Sequence, residues 1–235
     1  MAIPIERCSS GIPGFDKLCK GGFVRSSVAI IAGGPGSGKS TFMLQFLWDG
    51  LLRGENGLYV SFEPDIAEVI QDAYIYGWDF SKYDALNKCK FVRFSPASDP
   101  HEIERQLTEL VAKYDIKRIC FDPISVFAMM LEKETAIRAA LYRLCSLLKR
   151  LRVTVLLSEE IFGDASLDIS AGERFSRNGV IEFLSDALVT LHSVGLGGAA
   201  DRAVRIVKMR RTNHVRGPVP MQITDRGIVV MPEQA

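Results

Sequence analysis

The sequence predicts an α/β fold: a mostly parallel central sheet flanked by helices, with an antiparallel C-terminal β edge. Three observations carry this. Short apolar, β-branched runs alternate with longer helical patterns as far as residue 157. A glycine-rich loop joins the first long run to a strongly apolar helix. Beyond residue 185, helical periodicity gives way to short strands broken by turns.

Val28-Ala-Ile-Ile-Ala32 is continuously apolar, as a strand covered on both faces should be. Residues 40–53 follow as a helix that is apolar around most of its circumference. Thr41, Gln45, Asp49 and Arg53 form its narrow polar stripe. Residues 58–62 and 91–94 read as the next strands. Asp99 caps a helix with Pro100 at its first position and Glu102 at its third. Ile103, Leu107, Leu110, Val111 and Tyr114 form the apolar face of that helix. Residues 118–121 are a buried strand ending at Asp122-Pro123. Residues 134–151 set Ile137, Leu141, Leu144, Leu148 and Leu151 on one stripe, and 153–157 form another strand. Residues 187–194, 203–209, 219–223 and 227–230 make the antiparallel finish, with a turn at Gly195 to Gly198.

The chain of 235 residues suits a single domain over 1–235. Apolar residues at 47% and charged residues at 24% exclude disorder as the main state. A net charge of +1 argues against a globally basic nucleic-acid binder. No apolar run reaches the roughly 18–20 residues of a membrane span. Residues 1–10 lack the basic-then-apolar order of a secretory leader. Cys8, Cys19, Cys89, Cys120 and Cys145 are scattered without a CxxC, and read as reduced core thiols of a cytoplasmic protein.

Gly33-Gly34-Pro35-Gly36-Ser37-Gly38-Lys39-Ser40, followed by Thr41, satisfies G-x-x-x-x-G-K-[ST]. Glycines let backbone N–H groups converge on phosphate oxygens. The helix starting near Lys39 directs its positive end at the anion. Lys39 suits the β and γ phosphates of ATP, and Ser40 a Mg²⁺ ion. A P-loop hydrolase also needs an acid that closes an apolar strand and holds the metal's water shell, and Asp122 fits. It needs a carboxylate to orient or deprotonate water. Glu63 follows the strand 58–62 on the carboxyl edge, where the loop also lies. Ser158 ends the strand 153–157 on that edge and suits sensing of the γ-phosphate. Glu159 and Glu160 beside it are further candidates or an ordinary acidic loop.

Three more segments fit one family. Ser10-Gly-Ile-Pro-Gly-Phe-Asp-Lys-Leu18, with Gly21-Gly-Phe23, matches an S/T-G-I-P-G-x-D-x-L opening. Leu58-Tyr-Val-Ser-Phe-Glu63 matches a strand carrying a catalytic Glu. Lys208-Met-Arg-Arg-Thr-Asn-His214, with Ile223-Thr-Asp225, matches a C-terminal K-x-R-x-T-x-H signature and its closing strand. In these features the chain resembles the KaiC-like branch of the RecA superfamily. The resemblance implies a RecA-like P-loop core that assembles into a homo-oligomeric ring, usually a hexamer, with ATP between neighbours. It implies that Lys208 and Arg210 reach the γ-phosphate of the adjacent subunit, and that Thr212, His214 and Asp225 contact the neighbour's ribose or base. A cation supplied across an interface offsets charge building on the transferred phosphoryl group. Strand alternation puts Lys208 and Arg210 on one face.

The family's clock protein carries two such domains in tandem and this chain one, so an oscillator role is not implied. Pro64 replaces a second glutamate that the family often has, leaving Glu63 alone at that position. Ile181-Glu-Phe-Leu184 before Ser185-Asp186 offers no phosphoacceptor, which disfavours autokinase activity. Three functions stay open: a ring-forming ATPase switch or signalling module, a RecA/RadA-type recombinase paralogue binding single-stranded DNA, and a nucleotide-binding scaffold with negligible turnover. For the recombinase, the candidate DNA loops are the segment after Asp122 and 161–180, and the latter holds Arg174 and Arg177 against Asp164, Asp168 and Glu173, a local charge of −1. Single-stranded DNA binding is therefore expected to be weak.

Overall fold

The computed structural model describes residues 4–63, 65–95, 97–129, 131, 133–161, 181–193 and 201–231, with the side chains of 127–129 left aside. In chain order the elements begin with β1 (Arg7–Cys8), α1 (Phe15–Leu18), β2 (Phe23–Val24), β3 (Val28–Gly33), α2 (Lys39–Leu52) and β4 (Asn56–Ser61). Then come α3 (Ile66–Ile75), α4 (Phe80–Ala85), β5 (Cys89–Arg93), α5 (Pro100–Tyr114), β6 (Ile116–Asp122), α6 (Ile124–Met129) and α7 (Glu134–Arg150). The chain finishes with β7 (Thr154–Glu160), α8 (Ile181–Leu184), β8 (Ala187–Ser193), β9 (Arg202–Met209), β10 (Val219–Thr224) and β11 (Gly227–Val230).

Nine of the strands form one sheet in the order β11-β10-β9-β8-β3-β7-β6-β4-β5, while β1 and β2 pair separately. From β8 to β5 every neighbouring pair is parallel. The antiparallel pairs are β8–β9, β9–β10 and β10–β11. The predicted fold class is therefore found, with one change at the boundary. The sequence reading has residues 187–194 open the antiparallel finish, but β8 lies parallel beside β3, and the reversal comes only at β9. Periodicity cannot tell these cases apart, because it shows which residues are buried and not the direction in which a neighbouring strand runs.

The apolar runs land where burial demands. All six residues of β3 are buried, and β3 lies mid-sheet. One face carries α2 together with the N-terminal segment. The other carries α5 and α7 through Ile103, Leu107, Leu141, Leu144 and Leu148. Asp99 caps α5 by accepting from the His101 N–H at 3.1 Å, with Pro100 at the first position. Glu102 does not close a capping box. It binds Arg105 and Gln106 on its own helix instead. Helices α3 and α4, which periodicity did not mark, start at Asp65 and Asp79, whose side chains accept from Ala67 N and Lys82 N.

The polar stripe of α2 is a seam inside the protein. The Gln45 side chain donates to Gly11 O and Ile228 O and accepts from Ile228 N, tying α2 to the N-terminal segment and to β11. Asp49 accepts from Arg118, which is only 1% exposed. Arg118 also binds Glu55 at 2.6 Å and donates to Ser9 O and Phe46 O. Its guanidinium lies 4.6 Å from the centre of the Phe46 ring. All five cysteines are free and buried. Burial pushes the Cys19 and Cys145 thiols up to about 12, as expected of inert core thiols.

Burial alone would raise the Glu55 carboxyl, but the bonds from Arg118 and Arg25 hold it below its ordinary 4.5. A depressed folded value stabilises fully above the unfolded value and is lost as pH falls through the folded one. The contribution of Glu55 should therefore be complete above pH 4.5 and disappear below it. Arg118→Met keeps most of the stem and takes one cation from Asp49 and Glu55, which keep Arg53 and Arg25. It should cost about 2 kcal/mol at pH 7 in urea unfolding, with a smaller penalty at pH 4 as Glu55 protonates.

Candidate functional site

The parallel strands share a carboxyl edge, and the candidate residues collect there. The phosphate loop leaves β3 at Gly33 and enters α2 at Lys39. Gly38 adopts φ +97° before the helix, and a Cβ on it would come 2.9 Å from Ile223 Cδ1. A Cβ on Gly33 would meet Ser37 Oγ at 2.5 Å and Leu191 O at 2.7 Å. Gly34 and Gly36 face open space. The loop is thus pinned at both ends and open in the middle, which leaves backbone N–H groups room to approach an anion. Lys39 Nζ donates to Gly33 O at 2.9 Å and Gly34 O at 3.0 Å. Burial lowers its pKa, opposed by the charges of Asp122, Glu160 and Glu159. Ser37 Oγ is buried without a hydrogen-bond partner among the described residues.

Ser40 and Asp122 meet directly: Ser40 Oγ donates to Asp122 Oδ2 at 2.6 Å. Ser158 Oγ donates to Oδ1 of the same carboxylate. Three predicted residues from three elements therefore converge on one group. A fourth was not anticipated. Tyr59, wholly buried in β4, donates its hydroxyl to Asp122 Oδ2 at 2.6 Å. Burial, and then the Asp122 charge, push the Tyr59 phenol well above its ordinary range. In the sequence it reads as one more aromatic strand residue, and its partner is distant in the chain.

Glu159 and Glu160 belong to β7, in register with Ala32 and Gly33, so the reading of them as a loop is corrected. Glu159 is buried and Glu160 half-buried. Glu63 lies just past β4, in the strand register that sets Ser61 beside Asp122. Its side chain is exposed, and its carbonyl accepts from Arg93 at 3.2 Å. A cavity of about 240 Å³ adjoins the loop. It is lined by Ser40, Thr41, Leu44, Val69, Asp72, Ile75 and Tyr76.

The late cations fall elsewhere. β9 runs against β8, so its end lies at the amino edge, with Lys208 opposite Leu188 and Met209 opposite Ala187. Ala187 pairs with Ala29 and Leu191 with Gly33, so Ala187 lies about 13 Å along the sheet from the start of the loop. Lys208 Nζ donates to Glu182 O at 2.7 Å and Arg210 Nη2 to Phe183 O at 3.3 Å, so both side chains turn toward α8, as alternation predicted. Burial, and then the neighbouring Arg210 charge, lower the Lys208 pKa. Thr212 accepts from Arg7 at 2.7 Å, and His214 Nδ1 lies 2.9 Å from Val215 O, in the loop that leaves this edge. Asp225 stands apart from them. It occupies the β10–β11 turn, next to the strand whose Ile223 packs against Gly38, at the end of the sheet that holds this chain's own loop. Arg202, at the start of β9, donates to Gly36 O and so touches that loop.

Pro64, residues 162–180 with Arg174 and Arg177, and the turn at Gly195 to Gly198 lie outside the described residues. Among the described residues no helix is long and apolar enough to cross a membrane.

The family model "ATPase: KaiC" matches residues 8–235. The chain belongs to the KaiC ATPase family. It is 34% identical over 98% of its length to the circadian clock protein KaiC3 of Synechocystis sp., covering 46% of that protein. It thus spans about half the length of the clock relatives. It is 30% identical to UPF0273 protein PF1931 of Pyrococcus furiosus, covering 98% of this chain and 96% of that one. Its fold matches the crystal structure of KaiC-like protein PH0186 from Pyrococcus horikoshii at a TM-score of 0.84 and 34% identity, over 97% of this chain and all of that one. The RecA-like core and the P-loop ATPase class follow from the family and the fold together.

Because a Cβ at position 33 would strike the Leu191 carbonyl, Gly33→Ala should destabilise the KaiC-like core by about 1–3 kcal/mol. Gly34→Ala, in open space, should change stability by less than about 0.5 kcal/mol. Urea midpoints of the two variants check the contrast.

Proposed function

We propose that this KaiC-family chain, as a single domain, is a Mg-ATPase working as a homo-oligomeric ring, a hexamer by resemblance, with each active site shared between two copies. One observation carries the reading. Lys208 and Arg210 sit at the amino edge of the sheet, while Lys39, Ser40, Asp122 and Ser158 gather at the carboxyl edge. The two cations are turned away from their own loop, and a neighbour stacked edge to edge could receive them.

The residues of the loop suit a triphosphate. A buried hydroxyl at Ser37 with no partner among the described residues, open backbone at Gly34 and Gly36, and an ammonium held by loop carbonyls are all groups that an anion would engage. The hydroxyl–carboxylate pair Ser40–Asp122 is the donor set that Mg²⁺ takes in such loops. When bound, Mg²⁺ supplies positive charge to the phosphate oxygens. Lys39 would leave the loop carbonyls for the β and γ phosphates. Ser158, fixed on Asp122, would face the γ-phosphate. Glu63 would take the proton from the attacking water, its exposed carboxylate being ordered by closure of the interface. The neighbour's Lys208 and Arg210 would balance charge on the transferred phosphoryl group, with Thr212 and His214 near the nucleotide's sugar or base. Asp225 we assign to the same side as the chain's own loop. The cavity beside Thr41 and Tyr76 is the natural seat for the base. Slow turnover gated by assembly suits a switch or signalling module in the cytoplasm, and neither DNA nor autophosphorylation is required.

Lys39→Ala should weaken ATP binding at least about 10-fold in calorimetry; unchanged affinity would remove the loop assignment. Glu63→Gln should bind ATP normally and turn it over about 100-fold more slowly or worse. Wild-type turnover in that variant would move the base to Glu159 or Glu160. Wild-type turnover per subunit should rise with protein concentration and level off as light-scattering mass reaches that of a ring. A fully active dilute monomer would contradict the shared site.

A further inference from the structure

We propose that Tyr59 is a positioning residue for the metal-carrying carboxylate: with Ser158 it clamps Asp122 in one orientation and leaves a single acceptor position for a metal-bound water. The inference rests on the Mg-ATP reading above and extends it to a residue given no role in that reading.

Tyr59 lies in β4 in register with Cys120 of β6 and Phe91 of β5. Its ring is wholly buried and stacks on Phe91, centroids 5.6 Å apart, so the hydroxyl has a fixed position. A phenol has one proton to donate, and this one goes to Asp122 Oδ2. Ser40 donates to the same oxygen and Ser158 to Oδ1. A carboxylate offers about four lone-pair positions. Among the described residues, both positions of Oδ2 are taken, and one of the two on Oδ1. Asp122 is 5% exposed, so bulk water is poorly placed to replace a missing donor. A phenylalanine would fill the same apolar slot, so packing alone does not call for the hydroxyl. What the hydroxyl adds is orientation: without it Asp122 could turn about its Cβ–Cγ bond and present a different oxygen to the metal's water shell. Residues that hydrogen-bond to a metal-binding group act in this way elsewhere.

Tyr59→Phe keeps the ring and removes one donor. The test titrates Mg²⁺ into protein with a fluorescent ATP analogue, and separately titrates the analogue in EDTA. In the variant the Mg²⁺ half-saturation should rise about 10-fold, while affinity in EDTA stays within about twofold of wild type. Ser158→Ala should shift the Mg²⁺ response in the same direction from the other oxygen, and carries the test if the tyrosine variant folds poorly. An unchanged Mg²⁺ half-saturation in folded Tyr59→Phe would overturn the proposal. So would an equal loss of affinity with and without metal, the mark of a merely structural role. A wild-type protein whose nucleotide binding ignores Mg²⁺ would overturn the underlying reading instead.

Discussion

The common direction of β8, β3, β7, β6, β4 and β5 is the constraint on which the rest of the molecule depends. Parallel strands expose their carboxyl ends along one edge, so every residue that closes a strand arrives there. The phosphate loop closes β3, Asp122 closes β6, Ser158 lies late in β7, and Glu63 follows β4. The first reversal, at β9, carries the chain back and delivers Lys208 and Arg210 to the opposite edge. One topological feature thus gathers the candidate phosphate-binding groups and separates from them the two late cations that the family resemblance assigns to a phosphate.

Asp122 is the local counterpart of that constraint. A carboxylate almost closed to solvent must have its lone pairs satisfied, and hydroxyls from α2, β4 and β7 do so. The same bonds lock the beginning of α2 to the centre of the sheet. At the amino edge Arg118 joins α2 through Asp49 and Phe46 to β6, to the N-terminal segment at Ser9, and to Glu55. The helix that carries Lys39 and Ser40 is therefore fixed at both ends by polar contacts inside the protein, which suits a loop that must meet a ligand with little rearrangement.

Much of this was legible in the sequence, for physical reasons. The loop, its strand and its buried helix are local patterns, as are the Asp99-Pro100 helix start and the apolar strand before Asp122. What escaped were features set by distant partners. Tyr59 and Arg118 sit in apolar runs, and only their hydrogen bonds, formed across the sheet, reveal polar roles. Glu159 and Glu160 extend β7 because its neighbour β3 pairs them, although acidic residues after an apolar run look like a loop. The direction of β8 is invisible to periodicity. Asp225 was grouped with Thr212 and His214 by motif order, whereas the β10–β11 hairpin returns it to the loop's end of the sheet.

The claim that the active site spans two copies is tested most directly by mixing two inactive variants. Glu63→Gln chains keep both cations, and Arg210→Ala chains keep the carboxylate. In mixed assemblies some interfaces pair an intact Glu63 with an intact Arg210, so the account predicts that ATP turnover, absent from either variant alone, returns on mixing. Demonstrably mixed assemblies that remain silent would contradict it.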